Sequence, residues 1–329
     1  NDTRGHHVGD EYLRSVGRRI RGTLAADDLV VRMGGDEFLV VTRQPTNEPV
    51  TETIATRLST RLKETTQLGS AAYSMSASIG ISVFPRDANN MSDLLRAADI
   101  ALYEAKARGR DRYQLFDAAM NKRVHARLSL EQDLKLAVEQ DAIDIHLQPL
   151  FDMRSGRIMS FEALARWNHR VHGPVPPLSF IPVAEASDLI VQLGENVLRA
   201  AARLIAQWQE AGLEPVPIAA NVSAKQLQLS DLPDRILRIA KDFNIPPSLI
   251  GIELTESVAM HDSARHVEKL HALRDLGMRV SVDDFGTGYS SLSYLRNLPI
   301  DTLKIDRSFV RDMNIDNSDA AIVRAIIGM

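Results

Sequence analysis

The sequence predicts an α/β protein of two domains: an α+β domain over residues 1–117 and an incomplete (β/α)8 barrel over residues 128–329, joined by a helical connector at 118–127. Three observations predict this. In the first third, β-branched runs alternate with amphipathic helical periods, the pattern of mixed sheet and helix. In the rest, candidate strands end near Gln148, Glu162, Asn221, Glu253, Asp283 and Lys304, and the intervals 221 to 253, 253 to 283 and 283 to 304 are 32, 30 and 21 residues. A barrel of about 250 residues averages about 31 per strand–helix unit. Third, these strand ends carry oxygen-bearing side chains or lysine, and the strand ends of such a barrel meet at one mouth.

Composition permits this reading and excludes others. The 329 residues are 44% hydrophobic and 25% charged, enough apolar content for two cores and ordinary for folded domains. Net charge is −4 with lysines and arginines scattered, which argues against a nucleic-acid surface but leaves room for local positive charge around a small anionic nucleotide. There are no cysteines, so disulfides and thiolate metal sites are excluded, and a reducing cytoplasm suits the chain. No apolar run is long enough to cross a bilayer, and no signal peptide is recognisable, so no membrane contact is expected from this segment. The chain opens on Asn1 and stops at Met329 inside the helical pattern IVRAIIGM, so both ends read as cut.

In chain order, Gly9 to Leu24 places Leu13, Val16, Ile20 and Leu24 at three- and four-residue steps, one apolar helix face. LVVRMGGDEFLVV at 29–41 reads as a hairpin turning at Gly34 and Gly35, with Asp36 and Glu37 at its tip. An ordinary Gly-Gly turn with solvated acids fits the same residues. A helix over Val50 to Lys63, a strand over 75–84 and a helix over Ser92 to Ala107 follow, the last with Leu95, Ala98, Leu102 and Ala105 inward. Lys106 and Arg110 stand four apart, one turn if that helix continues. Residues 118–140 continue as helix with Val124, Leu128, Leu134 and Val138 among charges, a stiff joint without Pro, Gly or Ser runs.

The run RVSVDDFGTGYSSLSYLRNLPIDTLKID, Arg279 to Asp306, is where the second domain converges. A strand feeds Asp283 and Asp284 into a turn at Gly286 and Gly288, and a second strand carries Lys304 to a similar depth. Adjacent carboxylates resist burial unless a cation compensates them, which points to a divalent metal; a solvated turn is the plainer alternative. Glu162, Asn221, Glu253, Asp283, Asp284 and Lys304 together, all oxygen or lysine, favour a hard cation of the magnesium or manganese type. Six strands are complete by Ile305, and 329 − 305 = 24 residues remain, where two further units need about 60. The last two strands are therefore expected to be missing.

RMGGDEF, with NDTRGHHVGD before it and ADIALYEAKARGRDRY after it, resembles the GGDEF family of diguanylate cyclases. The resemblance implies a nucleotidyl-cyclase-like α+β fold. In it Asn1 and Asp10 hold the guanine of GTP, Asp36 binds a metal, Glu37 assists near the reacting ribose, and Lys106 and Arg110 grip phosphates. The family's first metal aspartate would lie before Asn1. Its inhibitory Arg-x-x-Asp reads Ala25-Ala26-Asp27-Asp28, so product feedback is expected to be weak, and Met33 stands where an aromatic is common.

The second half resembles the EAL family of cyclic-di-GMP phosphodiesterases through LQP at 147–149, FEALARW, NVSAKQL, IELTES and DDFGTGYSSLSYLRNLPIDTLKIDRSFV. The resemblance implies a two-metal site. Glu162, Asn221, Glu253 and Asp283 bind one ion, Asp283 bridges, and Asp284 holds the second. Lys304 positions or activates the attacking water, Glu256 braces the loop from Asp284 to Tyr289, and Gln148, Leu164 and Arg166 contact the dinucleotide. The implied activity is hydrolysis of cyclic-di-GMP to linear pGpG in bacterial signalling, with GTP as ligand of the first domain and a homodimer as the assembly. Two alternatives stand beside it, a non-catalytic cyclic-di-GMP receptor and a parent protein acting mainly as a cyclase.

Overall fold

The computed structural model describes residues 6–43, 48–68, 71–73, 75–229, 231–260, 264–287, 295, 298–313 and 317–328. The chain forms two compact units, Asn1–Leu128 and Ser129–Met329.

In the first unit, helix α1 (His6–Thr23) precedes the antiparallel hairpin β1 (Leu29–Gly34) and β2 (Glu37–Val41), in register from Leu29↔Val41 to Gly34↔Glu37. After α2 (Glu48–Lys63) come the short antiparallel pair β3 (Thr66–Leu68) and β4 (Ala71–Tyr73), then β5 (Ile79–Ile81), α3 (Met91–Ala107) and β6 (Tyr113–Leu115), with β5 parallel to β6. Val16 and Ile20 of α1 bury against Leu58 and Leu62 of α2, with Phe38 and Val40 of the hairpin packed on them. This is the apolar stripe a three- and four-residue spacing demands.

Three local expectations are corrected. The strand expected over 75–84 is a ladder only at Ile79–Ile81, because β6 offers three partners and the Val83 amide donates instead to the Asp87 carboxylate at 2.7 Å. The fully buried residues of α3 are Ala97, Ala101 and Ala105, while the expected Leu95, Ala98 and Leu102 are half-buried. Small side chains there let the helix backbone close on the sheet: a Cβ on Gly80 would lie 2.1 Å from the Ala98 carbonyl oxygen. Finally, α3 ends at Ala107, and Gly109, Arg110 and Asp111 follow at positive φ, so Arg110 is not one helical turn beyond Lys106.

The division between units falls inside α4 (Ala118–Glu139). The second unit continues with β7 (Ile143–Phe151), β8 (Ile158–His169), β9 (Gly173–Val175), α5 (Pro177–Ala186), α6 (Leu189–Glu210), β10 (Ile218–Asn221), α7 (Ala224–Gln228), α8 (Leu232–Asp242), β11 (Ile250–Thr255), α9 (Glu256–Ala259), α10 (Ala264–Asp275), β12 (Arg279–Phe285), β13 (Thr302–Ile305), α11 (Arg307–Asp312) and α12 (Asn317–Ile327). The described strands form one seven-stranded sheet, ordered β13-β12-β11-β10-β8-β7 with β9 beside β8, and it does not close on itself. From β8 to β13 the neighbours on that path run parallel.

Two features depart from a uniform parallel barrel. β7 pairs antiparallel with β8 through a hairpin, and β8 runs 169 − 162 = 7 residues beyond Glu162. Glu162 and Gln148 are therefore mid-strand partners rather than strand ends, because the hairpin arms keep pairing past the level where the parallel strands stop.

Strand alternation then sorts the side chains. Ile218, Ala220, Ile250, Ile252, Leu254, Val280 and Val282 share one apolar core with Ala201, Ala202 and Ile205 of α6 and Ile236 and Ile239 of α8. The intervening residues, among them Asn221, Glu253 and Asp283, point to the opposite, inner face. Among the described residues no helix is long and apolar enough to cross a membrane.

Candidate active site

The inner face carries a compact acid–lysine cluster. One carboxylate oxygen each from Glu162, Glu253 and Asp283 lies within 4.8 Å of the others. The Lys304 ammonium donates to Oε2 of Glu162 at 2.5 Å and to Oε2 of Glu253, and its Nζ is 3.9 Å from Oδ2 of Asp283. Neighbouring parallel strands produce this convergence: Asn221 is in register with Glu253, and Thr255 with Asp283. The Asn221 amide donates to Oε1 of Glu162 at 2.9 Å.

Electrostatics follow from burial. The Glu253 side chain is 2% exposed. Burial pushes its carboxyl up to about 7, against the hydrogen bond from Lys304 and with help from the charge of Glu162. Burial opposes the Lys304 ammonium, but its hydrogen bonds to Glu162 and Glu253 outweigh that, and its pKa rises. Three acids facing one ammonium leave an excess of negative charge and of oxygen donors, and both suit a hard divalent cation.

Asp284 stands apart from this cluster. The β12–β13 register shifts between Val282 and Phe285, and Asp284 sits there at φ 53°, a conformation aspartate tolerates better than most residues. Burial pushes its carboxyl up, and the charges of Asp283 and Asp306 together with a hydrogen bond to Asp306 push the same way. Hydrogen bonds from Ser308 hold Asp306 below the usual carboxylate range. Glu256, 3% exposed, accepts from the Gly286 amide at 2.8 Å and so ties the end of β12 to α9. Tyr289 and Gly288 lie outside the described residues.

Beside the cluster, the β7–β8 hairpin presents a second row. Gln148 is opposite Glu162, His146 opposite Leu164, and Asp144 opposite Arg166. Arg166 donates from Nη1 to the Ala165 carbonyl oxygen at 2.9 Å.

In the first unit, Asp36 and Glu37 are exposed at the hairpin, where Gly35 adopts φ 50°. Arg32 donates from Nε and Nη2 to the Gly35 carbonyl oxygen, and its Nη2 lies 3.9 Å from Oδ1 of Asp10. Lys106 and Arg110 are exposed near the end of α3, and Asn1 lies outside the described residues.

The EAL domain family matches residues 131–329. The chain belongs to the EAL family. Ahead of the EAL domain, the diguanylate cyclase GGDEF domain family matches residues 1–112, so the chain is a GGDEF–EAL tandem. Over its whole length it is 40% identical to the bifunctional diguanylate cyclase/cyclic di-GMP phosphodiesterase MucR of Pseudomonas aeruginosa, covering 48% of that protein. It is likewise 38% identical to the cyclic di-GMP phosphodiesterase PdeR of Escherichia coli, covering 49% of it. The chain thus spans about half the length of these relatives. A structure of the PaMucR phosphodiesterase in complex with c-di-GMP superposes with a TM-score of 0.58 at 42% identity, covering 61% of this chain and 81% of that one. The cGMP-bound EAL enzyme Bd1971 superposes at 0.59 with 28% identity, covering 74% of this chain and 63% of that one.

One acid near the cluster escaped the sequence reading. Asp306, the partner of Asp284, stands two positions after Lys304 in LKID, so the signal was a third acid at a strand end.

Proposed function

We propose that the protein is a metal-dependent cyclic-di-GMP phosphodiesterase that releases linear pGpG, with its GGDEF domain as a GTP-binding diguanylate cyclase-like partner in bacterial second-messenger signalling. The observation that carries this reading is the convergence of Glu162, Glu253 and Asp283 on Lys304. An all-oxygen donor set of excess negative charge fits magnesium or manganese, with Glu162, Asn221, Glu253, Asp283 and Asp284 as the residues that would hold two ions. When bound, such ions supply Lewis-acid stabilisation of the phosphodiester and a more acidic water.

The chain's own groups do the rest. Lys304, fixed by two carboxylates, holds a water for in-line attack and donates toward the charge that develops on phosphorus-bound oxygen. Arg166, a planar guanidinium on the same face, suits paired phosphate oxygens, and Gln148 and Leu164 complete the wall against which the dinucleotide rests. Glu256 keeps the Asp283–Gly286 turn in place through the Gly286 amide. In the first domain Asn1, Asp10, Asp36, Glu37, Lys106 and Arg110 form the GTP side of the proposal. A cyclase joins two GTP molecules, which supports a homodimer, and these nucleotides place its work in the cytoplasm.

The test is chromatography of cyclic-di-GMP incubated with the purified full-length protein. Linear pGpG is expected with magnesium or manganese and not with Asp283→Ala. Full activity in excess chelator overturns the reading.

A further inference from the structure

We infer that His146 is a substrate-binding residue of the EAL site, its imidazole packing flat on a guanine of the dinucleotide; this rests on the phosphodiesterase reading. The geometry comes from the β7–β8 register. His146 is opposite Leu164, between the Gln148↔Glu162 rung and the Asp144↔Arg166 rung. On both strands the alternate residues Ile145, Leu147, Ala163 and Ala165 belong to the apolar core, so His146 lies on the inner face with Glu162. It is exposed, and no hydrogen bond, ion pair or ring contact with another described residue engages it. Held in a nine-residue strand opposite Leu164, the exposed imidazole is presented at a fixed place on the inner face.

Chemistry assigns the ligand part. The rung at Glu162 belongs to the acid cluster, where a phosphodiester would be attacked. One pleat further, about 7 Å along the strand, stand His146 and Leu164, a flat ring and an apolar side chain without fixed negative charge. A purine base has two extended π faces, and it stacks on imidazole while burying its rim against leucine. One rung beyond, Arg166 returns to phosphate chemistry. In a cyclic dinucleotide each ribose lies between two phosphates and carries a base to the side, so one face can meet both phosphate and base.

The test uses initial rates of cyclic-di-GMP hydrolysis by the full-length protein. His146→Ala is expected to raise KM by about tenfold while kcat stays within about threefold, the size of one lost aromatic contact. His146→Phe, which keeps a ring face and loses both nitrogens, is expected to keep KM within about threefold. The manganese concentration for half-maximal rate should be the same in all three proteins, which a distorted sheet would not allow. If the alanine variant loses its far-UV circular dichroism, His146→Thr, better suited to a strand, takes its place. An active wild type whose KM ignores His146, or equal losses in Ala and Phe, overturns the inference and leaves the phosphodiesterase reading standing. An inactive wild type overturns both.

Discussion

Lys304 bridges Glu162 and Glu253, carboxylates 142 and 51 residues before it in the chain, with one ammonium donating to both. A lysine so fixed has no freedom left to follow a ligand, but it presents its charge at a constant place, which is what stabilisation of a developing charge requires.

Replacing this lysine separates turnover from binding. Lys304→Ala in the full-length protein is expected to lower kcat by roughly a hundredfold or more, within the range of one acid–base or electrostatic group, and to leave KM nearly unchanged. Rates of pGpG formation over a range of cyclic-di-GMP concentrations measure both. A variant that keeps kcat and loses affinity would identify Lys304 as a clamp on the ligand and favour a receptor.

Glu253 is the most buried acid of the cluster, so its charge is the least screened. Glu253→Gln preserves its shape and removes that charge; the manganese concentration giving half-maximal hydrolysis should rise about tenfold or more, given the preference of hard cations for carboxylates. A titration of activity against free manganese decides the matter, and an unchanged midpoint removes Glu253 from the metal site.

The buried Glu256 carboxylate and the half-buried Gly286 amide, 30 residues apart, are a hydrogen-bonded pair. Glu256→Ala strands that amide and is expected to cost about 1–3 kcal/mol in urea unfolding, while Glu256→Gln, which retains an acceptor, recovers much of the loss. Equal stability of the wild type and the alanine variant would show the contact to be dispensable.

Product feedback in the GGDEF domain is expected to be weak. Ala25 cannot supply a guanidinium, and the Asp28 carboxylate is already engaged by the amides of Ala25 at 2.8 Å and Arg43 at 3.3 Å. Cyclic-di-GMP titrated into a GTP turnover assay, in an Asp283→Ala background, should inhibit little. Asp28→Ala should instead destabilise the domain by about 1–3 kcal/mol through those two amides. Strong micromolar inhibition that Asp28→Ala relieves would be the contrary result.

Gly80 tests a close strand–helix approach in the first unit. Gly80→Ala would drive a methyl into the backbone of α3 at Ala98 and Leu102, and a loss of about 1–3 kcal/mol or more is expected on chemical denaturation. No loss would mean that the strand stands off the helix in solution.

Much of this was legible in the sequence because its signals are periodic. Val280 and Val282 alternate with inner-face residues, and the regular spacing of Asn221, Glu253 and Asp283 set parallel neighbours side by side. What escaped depends on pairing partners that no local pattern names. The reversed direction of β7 is invisible in IDIHLQPLF, since alternation reads the same both ways. The same holds for Asp284, which sits where the register against β13 shifts, at a φ that no local pattern names. The three-residue β5 was overestimated because β-branched residues favour strand whether or not a partner waits opposite. Of the alanines buried in α3, Ala105 reads from the helical steps while Ala97 and Ala101 do not, since sequence hydrophobicity rewards size where this packing rewards the lack of it.

The antiparallel β7–β8 hairpin also sets an order of assembly. Its arms are joined by a short turn, so Gln148 meets Glu162 and His146 meets Leu164 after closure of a small loop. By contrast, each parallel neighbour waits for a longer crossover, from 302 − 285 = 17 positions between β12 and β13 to 218 − 169 = 49 between β8 and β10. Loop closure on that longer scale is slow and cooperative. The hairpin that carries Gln148, His146, Glu162 and Leu164 is therefore expected to form before Glu253 and Asp283 reach Glu162, so the acid cluster would assemble late in folding.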